Sequence, residues 1–145
     1  MVAKLLSSIV AEGLSFLIEA HQLIPSTHFG RRPGHTTTDS LHLLVDTIKA
    51  TWRCYQVISV LFLDVKGAFP NAVTSHLLHS LQKRRVPEAY VSLINNMLMG
   101  RHTQLKFNNY TSSWFMLDNG IGQGDPLSMI LYLYYNSDAL EVLKG

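Results

Sequence analysis

Apolar residues recur every three or four positions in several stretches of the chain, the spacing that places them along one face of an α-helix. The stretch 3–20 has such a face, and it predicts a helix that ends before Pro25. The pattern is clearest after Thr36, which together with Asp39 has the spacing of a capping box at a helix start. Further helices are predicted over 71–84, from Pro87 to Gly100, and over 127–143.

Two stretches lack helical periodicity and are typical of β-structure. Residues 57–63, VISVLFL, form a continuous apolar run rich in β-branched residues, which predicts a strand buried on both faces. A turn at Asn108–Asn109 separates QLKF from SSWFML, which predicts a hairpin. The 145 residues are the length of one domain. The order of elements predicts an α+β fold in which helices pack on a small antiparallel sheet.

Composition and charge exclude some classes of function and leave others open. No apolar stretch reaches the roughly 18 residues that a membrane span needs, so no membrane partner is expected. Cys54 is the single cysteine, which excludes an internal disulfide and a cysteine-based zinc site and favours an intracellular location. Residues 31–106 contain ten Lys and Arg and four acidic residues, a net charge of +6. This basic middle suits a polyanionic partner, although chance clustering on a solvated surface would produce the same pattern.

Two short motifs contain residues suited to chemistry. In LFLDVKGAF, Asp64 directly follows the predicted strand, where a fixed carboxylate is the kind of oxygen ligand that Mg²⁺ prefers. The alternative is that Asp64 only caps the next helix. In GIGQGDPLS, glycines let the backbone approach a ligand closely, and the Gln123 amide can both donate and accept hydrogen bonds. A plain glycine- and proline-containing helix entry is the alternative for this second motif.

The two motifs occur in the order found in a known family. LFLDVKGAF followed by GIGQGDPLSMIL resembles motifs A and B of reverse transcriptases. Upstream, HFGRRPGHTTTDSL is similar to the signature that precedes motif A in non-LTR, LINE-like retrotransposons. With their intervening segments the three blocks cover nearly the whole chain, which therefore resembles the reverse transcriptase domain of such an element.

The resemblance implies roles at the active centre for five residues. Asp64 corresponds to the motif A aspartate that binds both catalytic metals, and the backbone carbonyl of Val65 corresponds to a further metal ligand. Phe69 falls where an aromatic residue excludes a ribose 2′-hydroxyl. Gln123 and Gly124 match the motif B pair that contacts the incoming nucleotide and the template base. The implied chemistry is two-metal nucleotidyl transfer with Mg²⁺ or Mn²⁺ as the cofactor.

The resemblance also implies an architecture and a set of partners. Gly30, Arg32 and Gly34 match the family's finger loop near the template. In the implied right-hand polymerase fold, residues 1–56 are fingers-like helices and a loop, and residues 57–145 are an incomplete palm. The implied partners are an RNA template, a DNA primer, a deoxynucleoside triphosphate and the remainder of the polymerase, in the nucleus if the chain is expressed as part of a retrotransposon.

Departures from the family pattern bear on activity. Met129 replaces the usual proline of motif B, and His28 replaces the usual glutamine upstream. No Tyr-x-Asp-Asp motif C, which supplies further carboxylates in the family, occurs in the sequence, and Asp125 or Asp138 would be a poorly placed substitute. The chain, as a truncated or decayed copy, is therefore expected to be inactive by itself, with metal binding left open. A non-catalytic nucleic-acid-binding remnant and an unrelated α+β protein are the alternative interpretations.

Overall fold

Helices make up most of the computed structural model, which describes residues 2–142. The helices of this range are α1 (Val2–His21), α2 (Thr37–Arg53), α3 (Thr74–Lys83), α4 (Glu88–Leu98) and α5 (Pro126–Val142). The strands are short: β1 (Arg101–Thr103), β2 (Lys106–Phe107), β3 (Tyr110–Thr111) and β4 (Phe115–Leu117). All five predicted helices are confirmed, although residue 143, the predicted end of the last one, lies outside the described range.

Helix α5 is the centre of the hydrophobic core. It is apolar around most of its circumference, which is typical of a helix that its neighbours cover on several sides. Helices α1 and α3 both pack against α5, and α4 packs against α3. The buried apolar residues of α1 and α5 are Val10, Ala11, Leu14, Ile18, Leu127, Ile130, Leu131, Leu133 and Tyr134. The core of the described chain therefore lies between helices.

Helix α2 begins where the sequence predicts. Thr36 Oγ1 accepts a hydrogen bond from the Asp39 backbone N–H at 3.1 Å, and the Thr36 N–H donates to Asp39 Oδ2 at 2.8 Å. This reciprocal pair is the predicted capping box. Its hydrogen bonds from Thr36 lower the pKa of the Asp39 carboxyl. No residue of α2 is buried in the described structure.

The predicted hairpin is confirmed, and it is longer than its turn suggests. Strand β2 pairs antiparallel with β3 around Asn108–Asn109, where Asn108 has a φ of +50°. This positive φ explains why asparagine stands in the turn, since its side chain tolerates the left-handed region better than most. Below the turn, β1 pairs with β4, with His102 opposite Met116. The whole segment 101–117 is therefore one two-stranded hairpin, interrupted between its two ladders.

The prediction of a strand at 57–63, buried on both faces, is wrong. This segment forms no strand, and no backbone hydrogen bond joins residues 57–65 to any other described residue. Leu61 is 79% exposed and Phe62 is 80% exposed. A continuous apolar run expresses a preference for burial, but burial needs a neighbouring strand and a covering layer, which residues 2–142 do not provide here.

The fold class is nevertheless α+β, because helices occur together with two small antiparallel sheets. The helices pack on one another rather than on a sheet, which corrects the expected arrangement. None of the helices within residues 2–142 combines the length and apolar character needed to cross a lipid bilayer. The division into fingers-like and palm parts stays a prediction.

Candidate functional site

The segment that follows Asp64 is joined directly to the glycine-rich loop that contains Gln123. The Gly120 N–H donates to the Ala72 carbonyl at 2.7 Å, and the Ile121 N–H donates to the Phe69 carbonyl at 2.9 Å. Just beyond this junction, Thr74 Oγ1 donates to the Asp118 carbonyl at 3.3 Å. The two sequence motifs, about fifty residues apart in the chain, therefore meet through their backbones.

Gly120 makes this junction possible. Its φ is +88°, in the region that residues with a Cβ rarely adopt. A Cβ placed there would lie 2.8 Å from the Pro70 carbonyl oxygen, which is too close for an ordinary contact. Because the neighbouring amides are fixed by hydrogen bonds to Phe69 and Ala72, the backbone has little room to move away. Only glycine fits this position without strain.

Aromatic rings line the same junction on the α5 side. The ring of Phe69 is half-buried, and its centroid lies 5.3 Å from that of Tyr132. Tyr132 stacks in turn on Tyr135 at 6.0 Å, and the Tyr135 hydroxyl accepts a hydrogen bond from the Val73 N–H at 3.4 Å. The Phe69 ring is therefore supported from behind by α5.

Asp64 is exposed and directly follows the apolar segment 57–63. Burial raises the pKa of the Tyr132 hydroxyl, and the nearby charges of Tyr135 and Asp64 raise it further. After Val65 the chain turns over residues 66–71, with the Asn71 N–H donating to the Gly67 carbonyl at 3.0 Å. This turn connects the exposed carboxylate to the part of the chain that is fixed against the glycine-rich loop.

Gln123 and Gly124 are exposed at the start of α5. The loop is anchored on one side by buried Ile121 and on the other by Asp125, whose Oδ1 accepts from the Leu127 N–H at 3.0 Å. Gly124 has a φ of +77°, and a Cβ there would meet no atom within 4 Å. The Gln123 amide is thus presented to the surface by a loop with fixed ends.

The two acidic residues considered as substitute metal ligands have other partners. Asp125 caps α5 and also accepts from Ser7 Oγ at 3.2 Å. Asp138 accepts from Arg84 at 2.7 Å and lies 3.1 Å from Lys83 Nζ. Burial alone would raise the pKa of Asp138, but the hydrogen bonds from Arg84 and Lys83 outweigh it and lower the pKa. Both carboxylates therefore serve to hold the fold together.

The donor set fits a partial site for a hard divalent cation. No cluster of three or more His, Cys, Asp or Glu residues suited to a metal ion occurs in the range 2–142. Mg²⁺ sites often use one or two protein carboxylates together with substrate phosphates and water. Asp64, with the Val65 carbonyl beside it, has the chemistry of such a contribution, and it needs ligands from elsewhere to complete a coordination shell.

The residues predicted to form the finger loop, Gly30, Arg32 and Gly34, lie apart from this junction, and Arg32 contacts α1. Arg32 is 8% exposed and forms a two-pronged ion pair with Glu19, from Nε at 2.8 Å and from Nη2 at 2.9 Å. Its Nη1 donates to the carbonyls of Pro25 and His28. The hydrogen bond from Arg32 lowers the pKa of Glu19. In this conformation Arg32 shapes the loop, and its contact with a template stays a prediction.

The remainder of the loop borders a groove. The groove has a volume of about 800 Å³ and lies between α1, residues 31–35 and the start of α5. Gly34, with a φ of +73° and open space around it, turns the chain at its edge. Burial lowers the pKa of His28, whose Nδ1 accepts from the Gly30 N–H at 3.3 Å. The loop is therefore internally organised rather than loose.

Two residues at the site were not found by sequence reasoning. Arg101, at the base of the hairpin, donates to the Gly120 carbonyl at 2.6 Å and to the Leu98 carbonyl at 2.8 Å. Tyr132 supports Phe69, as described above. Arg101 carries no motif that marks it, and Tyr132 falls within an apolar helix where an aromatic residue is expected to be core.

Comparison with known proteins places these motifs in context. The sequence profile described as "Reverse transcriptase (RNA-dependent DNA polymerase)" matches residues 1–145. The "Probable RNA-directed DNA polymerase from transposon X-element" of Drosophila melanogaster is 28% identical over 137 residues. That match covers 94% of this chain and 15% of the relative. No solved structure is significantly similar.

Two further relatives from mobile elements agree with this match. The "RNA-directed DNA polymerase from mobile element jockey" of Drosophila melanogaster is 25% identical over 94% of this chain and 15% of the relative. The "Retrovirus-related Pol polyprotein from type-2 retrotransposable element R2DM" of the same species is 33% identical over 71% of this chain and 10% of the relative. The chain thus spans a small part of each relative, and the alternative of an unrelated α+β protein is excluded.

Proposed function

This chain belongs to the reverse transcriptase family, and we propose that it supplies part of the nucleotide-binding centre of an RNA-directed DNA polymerase from a non-LTR retrotransposon. The observation that carries the proposal is the backbone junction between residues 69–72 and 120–121. It brings the segment that follows Asp64 against the loop that presents Gln123. In a polymerase, the metal-binding carboxylate and the nucleotide-binding amide belong on neighbouring segments of one site, which is the arrangement that this junction supports.

In this proposal, Asp64 and the Val65 carbonyl would hold a divalent cation that the triphosphate of the incoming nucleotide also binds. Mg²⁺ or Mn²⁺ would stabilise charge on the attacking and leaving oxygens as the primer 3′-oxygen displaces pyrophosphate from the α-phosphorus. The chain's own residues position the reactants. Phe69, supported by Tyr132, occupies the space where a ribose 2′-hydroxyl would lie. Gln123 and Gly124 contact the incoming nucleotide and the template base.

The template is proposed to pass near Gly30, Arg32 and Gly34. Because Arg32 is held by Glu19, its role there is to keep the loop in shape for contact by its backbone and neighbours. The exposed Arg31 beside it, with a φ of +51°, is the cation of this loop nearest to solvent. A phosphate backbone is the ligand that such a basic loop suits.

We propose that the chain by itself does not extend a primer. Asp64 is the carboxylate that it contributes to the metal site, and two-metal catalysis needs further acidic ligands. The relatives are several times longer than this chain, so those ligands are expected from other parts of such a polymerase. Without them, binding of nucleic acid is the property that the chain retains.

A chimaera tests the proposed function. The part of this chain that matches the X-element polymerase replaces the corresponding segment of that protein, an alignment of 137 residues, and primer extension is measured on an RNA template with Mg²⁺. The substitution Asp64→Asn is expected to reduce extension by at least about 100-fold. Asp46→Asn, on the exposed face of α2, is the matched control and should leave the rate unchanged. Equal activity of the Asp64→Asn and unsubstituted chimaeras would overturn the proposal.

The same chimaera tests the role of Phe69. Replacing Phe69 by Val is expected to increase ribonucleotide incorporation relative to deoxynucleotide incorporation, because the ring no longer fills the space of the 2′-hydroxyl. Tyr90→Phe serves as a control, because the hydroxyl that it removes lies beside Gly13 of α1 and not beside Phe69. An unchanged ratio in the Phe69→Val protein would exclude Phe69 as the discriminating residue.

A further inference from the structure

The hairpin Arg101–Leu117, here called the aromatic hairpin, carries an unusual number of exposed rings. Phe107 is 62% exposed and Trp114 is 65% exposed, and Tyr110 and Phe115 are exposed as well. Large exposed apolar side chains that cluster in one element mark a binding surface rather than chance. None of these four residues belongs to the motifs that assign the chain to its family.

Two of the rings form a platform at the tip of the hairpin. Phe107 and Tyr110 are cross-strand partners, and their ring centroids lie 5.3 Å apart. Cross-strand partners lie on the same face of a hairpin, so both rings are offered to the same ligand. Planar nucleic-acid bases are the ligands that stack on such rings, without regard to sequence, because every base has a π-face.

The positive charge of the hairpin and of the sequence around it favours a polyanion as the ligand. No acidic residue occurs between Glu88 and Asp118, while Arg101 and Lys106 contribute positive charge within the hairpin. Lys106 is exposed directly beside Phe107. Positive charge interleaved with exposed aromatic rings is a combination that suits single-stranded nucleic acid.

The aromatic hairpin is also continuous with the proposed nucleotide site. Arg101 Nη2 donates to the Gly120 carbonyl at 2.6 Å, which fastens the base of the hairpin to the glycine-rich loop. The Gln104 side chain and the Leu105 N–H both bond to Ser112, which holds the two arms together between the ladders. A strand lying along the hairpin would therefore reach the loop that presents Gln123.

From these observations we infer that the aromatic hairpin binds single-stranded nucleic acid, with bases stacked on Phe107, Tyr110 and Trp114. This inference rests on the proposed function, since the strand it handles is the polymerase's template or displaced strand. It adds a binding surface about which the family motifs say nothing. A second copy of the chain is the competing occupant, because the same rings are apolar.

Fluorescence of Trp114 reports binding directly. The second tryptophan, Trp52, is exposed on α2 and is replaced by Phe, so that Trp114 is the single tryptophan and can be excited selectively over the tyrosines. Titration with a single-stranded uridine oligonucleotide is expected to quench the emission, and a duplex of the same length to quench it less. Affinity should fall steeply with salt. Absence of quenching at low salt would overturn the inference.

Variants separate stacking from charge. Phe107→Leu keeps the side chain apolar but removes the ring, and it is expected to weaken binding by about 5- to 140-fold. Phe16→Leu, an exposed ring on α1, is the matched control and should bind as the parent does. Lys106→Gln should make the slope of log affinity against log salt shallower by about one. Circular dichroism confirms that each variant is folded.

The outcomes distinguish this inference from the proposed function. If Phe107→Leu and the parent bind the oligonucleotide with equal affinity, the aromatic hairpin is not the binding site. This result would not affect the proposed function, which is tested separately by the dependence of primer extension on Asp64 in the chimaera. Sedimentation without nucleic acid tests the competing occupant. Self-association that Phe107→Leu abolishes, with no quenching by the oligonucleotide, would assign the hairpin to a second copy and overturn the inference.

Discussion

Replacing Gly120 by Ala is the substitution that most sharply tests the junction between the two motifs. The change adds one methyl group at a φ of +88°, where it would lie 2.8 Å from the Pro70 oxygen and 3.2 Å from the Pro70 carbonyl carbon. The left-handed backbone costs a residue with a Cβ about 1–2 kcal/mol. Relieving the clash requires the Gly120 and Ile121 hydrogen bonds to lengthen, and each contributes about 0.5–1.5 kcal/mol.

These terms sum to a substantial loss of stability. Alanine also restricts the unfolded chain, which offsets about 0.4–1 kcal/mol. The free energy of unfolding of Gly120→Ala is therefore expected to fall by about 2–4 kcal/mol. Gly124→Ala is the control, since Gly124 has a similar φ of +77° but no atom within 4 Å of the added methyl. Its loss should be about 1 kcal/mol, from backbone strain alone.

Urea unfolding followed by far-UV circular dichroism measures both changes under identical conditions. The difference between the two variants isolates the contact with Pro70, because both share the backbone strain. Gly122→Ala, which has an ordinary φ and a nearest contact at 3.8 Å, sets the baseline for alanine in this loop. If Gly120→Ala is as stable as Gly124→Ala, the junction is not packed as described and the reasoning fails.

Three further predictions concern the charge pairs and the exposed segment. Arg32 lowers the pKa of Glu19 below its ordinary value of 4.5, so the ion pair stabilises the chain above that pH, and this stabilisation is lost as the pH falls below it. Glu19→Gln should therefore make the free energy of unfolding depend less steeply on pH in this range. An acid unfolding curve that the substitution leaves unchanged would contradict the pairing. Arg84→Met removes bonds to Asp138, Glu141 and the Leu23 carbonyl and should cost about 2–4 kcal/mol in urea unfolding, whereas Arg85→Met, which lacks these partners, should cost little. Because Phe62 is exposed, Phe62→Lys should reduce light scattering by concentrated solutions while changing the free energy of unfolding by less than about 0.5 kcal/mol. Light scattering equal to that of the parent would show that residues 57–63 do not cause association.

Local signals in the sequence predicted the helices and the hairpin. Thr36 and Asp39 are three residues apart, so the capping box is complete within one turn of helix. The Asn108–Asn109 turn is likewise a local signal, and it correctly predicted where the two strands of the hairpin pair. Features of this kind can be predicted because the residues that interact are close together in the sequence.

The failures concern partners that are distant in the chain. The run 57–63 has the composition of a buried strand, but composition does not show whether a neighbouring strand exists to cover it. The ion pair of Arg32 with Glu19 and the bond from Arg101 to Gly120 join residues on different elements, and no local pattern marks them. Motif resemblance supplied the residues of the proposed site, whereas the contacts that hold those residues required the structure.

The junction has a consequence for how the site would respond to substitution. Residues 69–72 are fixed to the glycine-rich loop, so a change in either segment is transmitted to the other through two backbone hydrogen bonds. Substitutions at Pro70 or Gly120 are therefore expected to alter the proposed nucleotide contact of Gln123, although neither residue is proposed to touch the nucleotide. Tyr132 acts similarly on Phe69, through ring packing rather than through the backbone.

Hydrogen exchange of two amides, followed by NMR, measures this junction most directly. The Gly120 and Ile121 N–H groups donate to the carbonyls of Ala72 and Phe69, so both are expected to exchange slowly, with protection approaching that of the α5 core. The exposed amides of Gln123 and Gly124, two or three residues further along, are expected to exchange rapidly. Exchange of Gly120 and Ile121 at the rate of an unstructured peptide would show that Asp64 and Gln123 do not belong to one site.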